Sequence, residues 1–495
     1  MESSGKLYEK YLHEIWQNQS FTKPLRTFDH NTITVLDPGV YNESSAGPDF
    51  QHCRLQIGAI TYVGDVEIDL DYHDWKRHGH NIDSKYNKVI LHVSFTNNQK
   101  HHYVFTKAGR KVPNVSIKNF IDPEIAKNLF ENYKTFESST IKNIKCAGLS
   151  NDVKFKVKKE FVINLGIQRF NKKSKRIFDR LKELVFLEEN QIAEPVIRYE
   201  LSKQFREREF TYEDFKKTDV WKQLFYELMF EALGYSKNKS PMLKLAKYAN
   251  LNILNKINDT VTNDKIKLFE SVFYNVSGIM PDVNNLPASE VDDYQKELNE
   301  IWQTVKDIYD SETLNETQWH FLNNRPQNFP TIRIAGGVRL LNMLLYGDLI
   351  PKLIKKFEEI RSDRVLINSV RSLFIVKSEG YWTEHYIFGK PAKDKIKYFV
   401  GASRSDEIVV NIVLPFLYVY FEVFGKTELA KRILKIYQLY TQKSDNKIVR
   451  DVAEGIGLDG YKKRTIFAQG MIELFRSYCS KGKCLECEIG KTVFE

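Results

Sequence analysis

The chain has 495 residues, 42% of them hydrophobic, which is enough for two or three domains with buried cores. Its 74 lysines and arginines outnumber its 64 aspartates and glutamates, and the formal net charge of +10 favours a polyanionic partner such as nucleic acid. We expect no membrane span, because no apolar stretch approaches ~20 residues, and no secretory signal at the amino terminus. Five cysteines, an odd number, indicate a reducing cytoplasm with free thiols or a metal site.

The first 125 residues predict an α+β domain. An amphipathic helix over residues 8–16 is followed by short apolar and alternating segments separated by turn residues, which is typical of strands. Residues 74–86, between two of these strands, predict a loop or a short helix. We assign residues 1–125 to this domain and residues 126–150 to a linker. The predicted strands are Thr32–Leu36, Cys53–Ile57, Ile60–Leu70, Val89–Phe95 and Tyr103–Thr106.

The rest of the chain predicts a large all-α region. From about residue 150 onward, apolar residues recur at intervals of three and four, which is the helical period. We expect helical domains at residues 151–290 and 291–475, followed by a cysteine-rich tail at residues 476–495. The predicted helices include Phe155–Val185, Val220–Leu233, Val291–Tyr309, Leu340–Ile360, Ile408–Phe424 and Leu429–Tyr440.

Acidic and apolar residues alternate on the strand predicted at Ile60–Leu70. Asp65, Glu67 and Asp69 follow one another at every second position, so their carboxylates share one face of the strand, ~7 Å apart. With Asp49 nearby, this ladder repels itself unless a cation neutralises it. A divalent metal, which activates water and stabilises charge on a phosphodiester, fits the arrangement. The alternative is a solvent-facing hairpin with an acidic outer face.

Asp49, preceded by proline, and Glu67 resemble the core of the PD-(D/E)XK nucleases. In that core Pro-Asp opens one strand, and an acid, any residue and lysine follow on the next. The resemblance implies an α/β nuclease-like domain that cleaves DNA or RNA with Mg²⁺ or Mn²⁺. It makes Asp49 and Glu67 metal ligands, and Asp65 beside them and Glu14 or Glu9 of the first helix would add further ligands. Asp69 would assist them in catalysis.

Asp69 stands where the nuclease pattern has lysine, and this departure leaves two other hypotheses open. One is a noncatalytic nucleic-acid-binding scaffold that kept the fold, and the other is a metal-dependent hydrolase of a small phosphorylated or acidic substrate. A scaffold would bind nucleic acid with or without metal, and a nuclease would cleave it only with metal. The hydrolase of a small substrate would neither bind nor cleave polynucleotides. The oligomeric state is left open.

His78 and His80 lie on the predicted connection at residues 74–86. As nitrogen ligands they would favour Mn²⁺ or Zn²⁺ over Mg²⁺, and as catalytic residues they would move protons beside the carboxylates. The alternative is a polar connecting loop that Trp75 anchors to the core.

Motifs spread over nearly the whole chain are similar to those of a bacterial family known only as domain of unknown function 2851. The resemblance supplies no activity, because that family is itself uncharacterised. The motifs are Ala46–Phe50, Gly64–Ile68, Asp74-Trp75, His78–His80, Val89–Val93, Arg325–Pro330, Tyr381-Trp382 and Cys484–Gly490.

Two basic segments of the helical region are candidate nucleic-acid contacts. One is the lysine-rich run at residues 154–176, and the other is a proline-rich turn at residues 325–333 that would present its arginines rigidly. The alternatives are a solvated helix face and arginines that satisfy buried backbone groups at a helix start. The candidate residues are Lys172, Lys173, Lys175, Arg176, Arg325 and Arg333.

Cys479, Cys484 and Cys487 lie close together in the tail, at a spacing that lets three sulfurs converge on one ion. Cys146, Cys53 or a histidine would supply a fourth ligand. The arrangement loosely resembles nucleases in which one upstream and three carboxy-terminal cysteines hold an iron-sulfur cluster. We therefore predict Zn²⁺ or an iron-sulfur cluster here, and the alternative is a set of reduced structural thiols.

Overall fold

The computed structural model forms two compact units, residues 1–140 and 141–495, which we call the sheet unit and the helical unit. The prediction of an α+β domain followed by a large helical region is confirmed. Within the described part of the chain, no helix combines the length and the apolar character that crossing a membrane requires. The structure describes residues 12–13, 15–42, 47–123, 144, 146–147, 149–192, 198–235, 237–258, 264–287, 291–321, 326–443, 446–481 and 483–494.

The sheet unit is built on one eight-stranded sheet of mixed direction. Its strands are β1 (Leu25–Arg26), β2 (Thr32–Asp37), β3 (Val40–Tyr41), β4 (Phe50–Ile57), β5 (Ile60–Asp71), β6 (Val89–Thr96), β7 (Tyr103–Phe105) and β8 (Lys111–Ser116). The order across the sheet is β1-β2-β4-β5-β6-β8-β7, and β3 pairs with β4. The predicted strands are therefore all present in the sheet.

Strands β4, β5 and β6 form the part of the sheet that matters for function. β4 and β5 make an antiparallel hairpin that turns at Gly58, where φ is +62°, and β5 pairs in parallel with β6. Parallel neighbours need a connection that returns over the sheet. Residues 72–88 provide it, with a helical turn at Asp74–Arg77 and a 3₁₀ segment at Ser84–Lys88. This connection carries the two histidines of the predicted site.

Both faces of β5 are buried in its middle, from residue 65 to residue 69. Val66 and Ile68 pack into the main core of the sheet unit. On the opposite face, Glu67 and Asp69 are only 5% and 1% exposed, beneath the connection that Trp75 anchors. The alternative of a solvent-facing acidic hairpin is therefore wrong for these two residues.

The helical unit consists of packed helices and two short two-stranded ribbons. The predicted division of this region near residue 290 stays a prediction. The ribbon strands are β9 (Val376–Lys377) with β12 (Tyr398–Val400) and β10 (His385–Ile387) with β11 (Lys390–Pro391). A π-helical segment, Val409–Val413, joins two of the helices. The α-helices are Phe155–Glu189, Arg198–Glu207, Thr218–Leu233, Lys239–Tyr248, Leu251–Asn258, Lys265–Val276, Asp293–Val305, Pro330–Tyr346, Leu349–Glu359, Asp363–Leu373, Ala402–Ile408, Leu414–Val423, Thr427–Leu439, Lys447–Ile456, Thr465–Ser477 and Glu488–Phe494.

The long helix Phe155–Glu189 packs backbone against backbone on a second helix near the carboxyl terminus. A Cβ atom added at Gly166 would overlap the carbonyl oxygen of Ile466, and one added at Gly470 would overlap that of Val162. Glycine at both crossing positions therefore sets the distance between the two helices.

Candidate metal centre

Asp69 lies at the centre of the candidate site, surrounded by three imidazoles. Its Oδ1 is 3.1 Å from His78 Nδ1 and 3.9 Å from His80 Nε2, and its Oδ2 is 3.1 Å from His92 Nε2. The connection between β5 and β6 supplies His78 and His80, whereas His92 lies opposite Glu67 on β6. The ligand atoms of Asp69, His78 and His80 all lie within 4.8 Å of one another, which is close enough to hold one metal ion.

A chain of buried amides determines the tautomer of His92. Asn97 donates to the His101 carbonyl and accepts from the His101 N–H, so the backbone sets the orientation of this amide. Asn97 donates in turn to Asn114 Oδ1 at 2.8 Å, and Asn114 Nδ2 donates to His92 Nδ1 at 2.9 Å. His92 therefore carries its proton on Nε2 and donates it to Asp69 Oδ2. The Asp69 carboxylate is thereby held in one orientation.

The carboxylates of Asp49 and Glu67 each accept a hydrogen bond from the backbone of the other's strand, at the open end of the hairpin. The Asp49 N–H donates to Glu67 Oε2 at 3.0 Å, and the Ile68 N–H donates to Asp49 Oδ2 at 3.0 Å. A register shift between Phe50 and Cys53 interrupts the backbone pairing of β4 with β5 at this point. The two carboxylates thus take the acceptor positions that the bulge leaves empty, and this places both beside Asp69.

Two histidine nitrogens at the site contact carboxylates without forming hydrogen bonds. His80 Nε2 lies 3.0 Å from Glu67 Oε1, and His13 Nε2 lies 3.2 Å from Asp49 Oδ2. Within the described residues, neither buried nitrogen has a partner with hydrogen-bond geometry. Buried polar atoms of this kind are rare, and a bound ion or water explains them. A cation shared between these imidazoles and carboxylates would satisfy both sides.

The two buried carboxyl groups of β5 have opposite electrostatic environments. Burial raises the pKa of Asp69, but contacts with three histidines outweigh burial and hold that pKa well below its usual range. Burial and the charge of Asp49 raise the pKa of Glu67 well above its usual range. Burial lowers the pKa of His80, but the charges of Glu67 and Asp69 raise it to about 10. Asp69 is therefore held as a carboxylate, whereas the raised pKa values favour the protonated forms of Glu67 and His80, and a metal ion bound by His80 would displace its proton.

Aromatic rings cover the site on one side. The ring of Tyr86 lies 4.0 Å from that of His80, and Trp75 meets His80 edge to face. The indole N–H of Trp75 donates to a backbone carbonyl of β7 at 3.0 Å, which anchors the connection. The side chains of His78 and Asp49 are 33% and 24% exposed and form the solvent side of the site. That edge is where the described part of the site is open to solvent.

The structure brings together most of the predicted site, with one exception. Asp49, Glu67 and Asp69 converge with His78 and His80 as described above. Asp65 is not part of the ligand group, and the pairing of β5 with both neighbouring strands is irregular beside it, because β4 and β6 each have an extra residue there. Its Oδ1 instead accepts the backbone N–H of a β4 residue at 3.2 Å. Glu14 and Glu9 lie outside the described residues.

Three of the predicted nucleic-acid contacts are engaged inside the helical unit. Lys172 and Arg176 form ion pairs with Glu473 and Glu231, at 2.5 Å and 2.8 Å. Lys173 donates to two side-chain amide oxygens at 2.5 Å and 2.7 Å. These contacts favour a structural role for the three cations.

The other three candidates differ in their positions. Lys175 is exposed on the long helix. Arg333 is 6% exposed and donates to the Phe399 carbonyl at 2.6 Å and to Asn328 Oδ1 at 2.5 Å. It therefore satisfies buried groups near a helix start, as the structural alternative supposed, and offers no open surface to a phosphate. Arg325 lies outside the described residues.

The predicted cysteine ligands all lie in the helical unit. Cys146 and Cys487 are buried, Cys479 and Cys484 are partly exposed, and each is a free thiol. Cys53, the alternative fourth ligand, belongs to the sheet unit, where its Sγ donates to a backbone carbonyl at 3.1 Å.

A family model described as Protein of unknown function (DUF2851) matches residues 9–206 and 194–446, which together make up most of the sequence. The chain belongs to this family. The resemblance that the sequence motifs indicated is therefore confirmed. The chain matches no curated protein and no solved structure.

His13 and Asn114 of this DUF2851 protein were not candidates in the sequence. His13 lies in a helical segment, and only its packing on the sheet brings it to Asp49. Asn114 lies in β8, where the neighbouring Pro113 argues against a central strand. Neither spacing nor composition around these two residues marks them, because their roles arise from long-range packing.

Proposed function

We propose that the sheet unit is a metal-dependent phosphodiesterase acting on DNA or RNA. The observation that carries the proposal is the convergence of Asp69, His78 and His80, whose ligand atoms lie within 4.8 Å of one another. Asp49 and Glu67 stand beside this group, on the hairpin where the PD-(D/E)XK resemblance expects its acids. A helical segment, a hairpin, a connection and a further strand agree with the core of that superfamily.

The donor set favours Mn²⁺ or Zn²⁺ over Mg²⁺, because it offers two imidazole nitrogens and one carboxylate oxygen. Asp69, His78 and His80 would hold the ion, and the unpartnered Nε2 of His80 fits that role. When bound, the metal would activate a water molecule and stabilise negative charge on the phosphate.

The protein's own side chains supply orientation and a proton. His92 holds Asp69 Oδ2 so that Oδ1 faces His78 and His80. Glu67 lies beside His80, its raised pKa favours the protonated carboxyl group, and it would deliver a proton to the leaving oxygen of the phosphodiester.

A hydrolase of a small phosphorylated substrate is the second candidate, and the burial of the site favours it. Most of the group is enclosed, and only the edge formed by His78 and Asp49 is partly open. A noncatalytic scaffold is less well supported, because the ligand group is complete although lysine is missing. Nucleic acid as the partner and the cytoplasm as the location stay predictions.

Cleavage assays on the full chain test the proposal. Labelled single- and double-stranded DNA and RNA, and the small diester bis(p-nitrophenyl) phosphate, would be incubated with Mn²⁺, Zn²⁺ or Mg²⁺. Wild type would be compared with Asp69→Asn and His80→Gln. The matched control is Asp71→Asn, the same change at the next acid of β5, which is bound by Thr96 at 2.8 Å and lies outside the ligand group.

We expect metal-dependent cleavage of a polynucleotide by wild type and Asp71→Asn, and a loss of about 100-fold or more in the other two variants. Hydrolysis of the small diester alone would select the second candidate. Binding of nucleic acid that is the same with and without metal, together with no cleavage of any substrate, would favour the scaffold and refute the proposal.

A further inference from the structure

Four cysteines from the two ends of the helical unit meet at one place. Cys146 precedes the long helix, and the other three follow the helix Thr465–Ser477. The carbonyl of Cys146 accepts the N–H of Ser150 at 2.9 Å, and the 3₁₀ turn that begins at Ser150 packs against the terminal helix Glu488–Phe494. Cys487 directly precedes that terminal helix. Residues more than 300 positions apart in the chain are thereby brought together.

The carboxy-terminal cysteines are packed tightly around the same helix. The carbonyl of Cys484 comes so close to Gly490 that a Cβ atom there would overlap it, and the N–H of Cys487 donates to the same carbonyl at 3.1 Å. The thiols also influence one another through space. Burial raises the pKa of Cys146, and so do the charges of Cys487 and Cys484. Burial and the other three thiols raise the pKa of Cys479 to about 12.

A buried ammonium group lies next to these thiols. Lys158 is 5% exposed, and its Nζ donates to the Ser150 carbonyl at 3.0 Å. Among the described residues no carboxylate forms an ion pair with it. Its charge acts directly on Cys146, where it favours the thiolate. A buried cation needs a negative partner, and thiolates bound to a metal centre would provide one.

We propose that Cys146, Cys479, Cys484 and Cys487 hold an iron-sulfur cluster in the helical unit. Four thiolates are the usual ligand set of such clusters. A single zinc ion would bring its sulfurs to about 3.8 Å from one another, given a ~2.3 Å Zn–S bond and tetrahedral geometry. The four sulfurs do not form a group with all members within 4.8 Å, whereas Asp69, His78 and His80 do. Sulfurs placed around the outside of a cluster are farther apart than sulfurs around one ion.

Metal and sulfide analysis of the full-length protein tests this inference, which does not depend on the proposed function of the sheet unit. The protein would be purified without oxygen, and iron, zinc and acid-labile sulfide would be measured per chain. We expect iron and sulfide in equal amounts, broad visible absorption that dithionite bleaches, and a paramagnetic resonance signal after reduction. One zinc per chain without sulfide would overturn the cluster, and a protein free of both metals would overturn the site.

Serine variants identify the ligands. Cys484→Ser and Cys487→Ser should each lower the iron content by about tenfold or more. Cys53→Ser is the matched control, since Cys53 is also buried but lies in the sheet unit, and it should keep the wild-type iron content. Circular dichroism would establish that each variant is folded. A folded Cys484→Ser variant with full iron content would overturn the assignment, and the wild-type analysis stands even if a variant fails to fold.

Discussion

Replacing His92 with phenylalanine tests whether the buried amide chain prepares Asp69 for a metal. His92 is fully buried, so phenylalanine would fill a similar volume while removing the Nε2 donor to Asp69 Oδ2. A hydrogen bond to a buried charged group is worth ~1.5–3 kcal/mol. Asn114 would lose one acceptor but would keep the carbonyl of residue 92 at 3.1 Å and Ser94 Oγ at 3.2 Å. The amide is therefore not left unpaired, and the expected loss of folding stability is about 2–3 kcal/mol.

The same change should weaken metal binding, because Asp69 would no longer be held in one orientation. Loss of an outer partner of a metal ligand typically lowers affinity by about 10- to 100-fold. Titration calorimetry of the full chain with Mn²⁺ would measure this, and Asp69→Asn would define the part of the signal that belongs to the site. His92→Gln is the matched control, since its amide N–H can still donate to Asp69, and most of the affinity should remain. A folded His92→Phe variant that binds Mn²⁺ as tightly as wild type would refute the reasoning.

Two further predictions concern the helical unit. Gly470→Ala should lower the free energy of unfolding, measured by urea titration, by about 2 kcal/mol or more, because the added carbon overlaps a backbone carbonyl of the facing helix. Gly460→Ala is the control and should be nearly neutral, since no heavy atom lies within 4 Å of its added carbon. Burial raises the pKa of Glu231, but hydrogen bonds from Arg176 outweigh burial and hold that pKa below its ordinary value of 4.5. The stability of wild type relative to Glu231→Gln should therefore be fully present above pH 4.5 and shrink as the pH falls below it, as thermal unfolding between pH 7 and 3 would show; a difference that stays constant would contradict the assignment.

Local periodicity was sufficient to predict the framework of the site. The alternation on Ile60–Leu70 and the apolar run at Val89–Phe95 are typical of strands, and both predicted strands are present in the sheet. The prediction of one helix over Leu340–Ile360 was wrong, because the chain turns at Asp348, where φ is +49°. The apolar period continues across that turn, so the pattern alone does not reveal it.

The enclosure of the site was not predictable from local patterns. Period-two alternation placed Asp65 with Glu67 and Asp69, but a bulge interrupts the ladder beside Asp65. Bulges depend on how two strands pair, and one strand's sequence does not contain that information. The contacts of His13 and Asn114 likewise depend on which distant elements pack together. Residues on predicted strands and on the connection between them could therefore be predicted, whereas contacts that depend on bulges and on long-range packing could not.

Placing a lysine at position 69, where the nuclease pattern has one, should do harm. Asp69 occupies the lysine position of that pattern. Its hydrogen bond with His78 raises the pKa of that histidine. Burial lowers the pKa of His80, but the carboxylates of Glu67 and Asp69 outweigh burial and raise it. Asp69→Lys would instead place an ammonium at a position 1% exposed, among imidazoles, and would remove a proposed metal ligand.

We therefore expect Asp69→Lys to lose Mn²⁺ binding and about 3–5 kcal/mol of folding stability, since an unpaired buried charge has a cost of that size. Calorimetric titration with Mn²⁺ and urea unfolding would measure both effects, and Asp71→Lys on the more exposed end of β5 is the control for the added charge. Metal-dependent cleavage that is stronger in Asp69→Lys than in wild type would refute the assignment of Asp69 as a metal ligand.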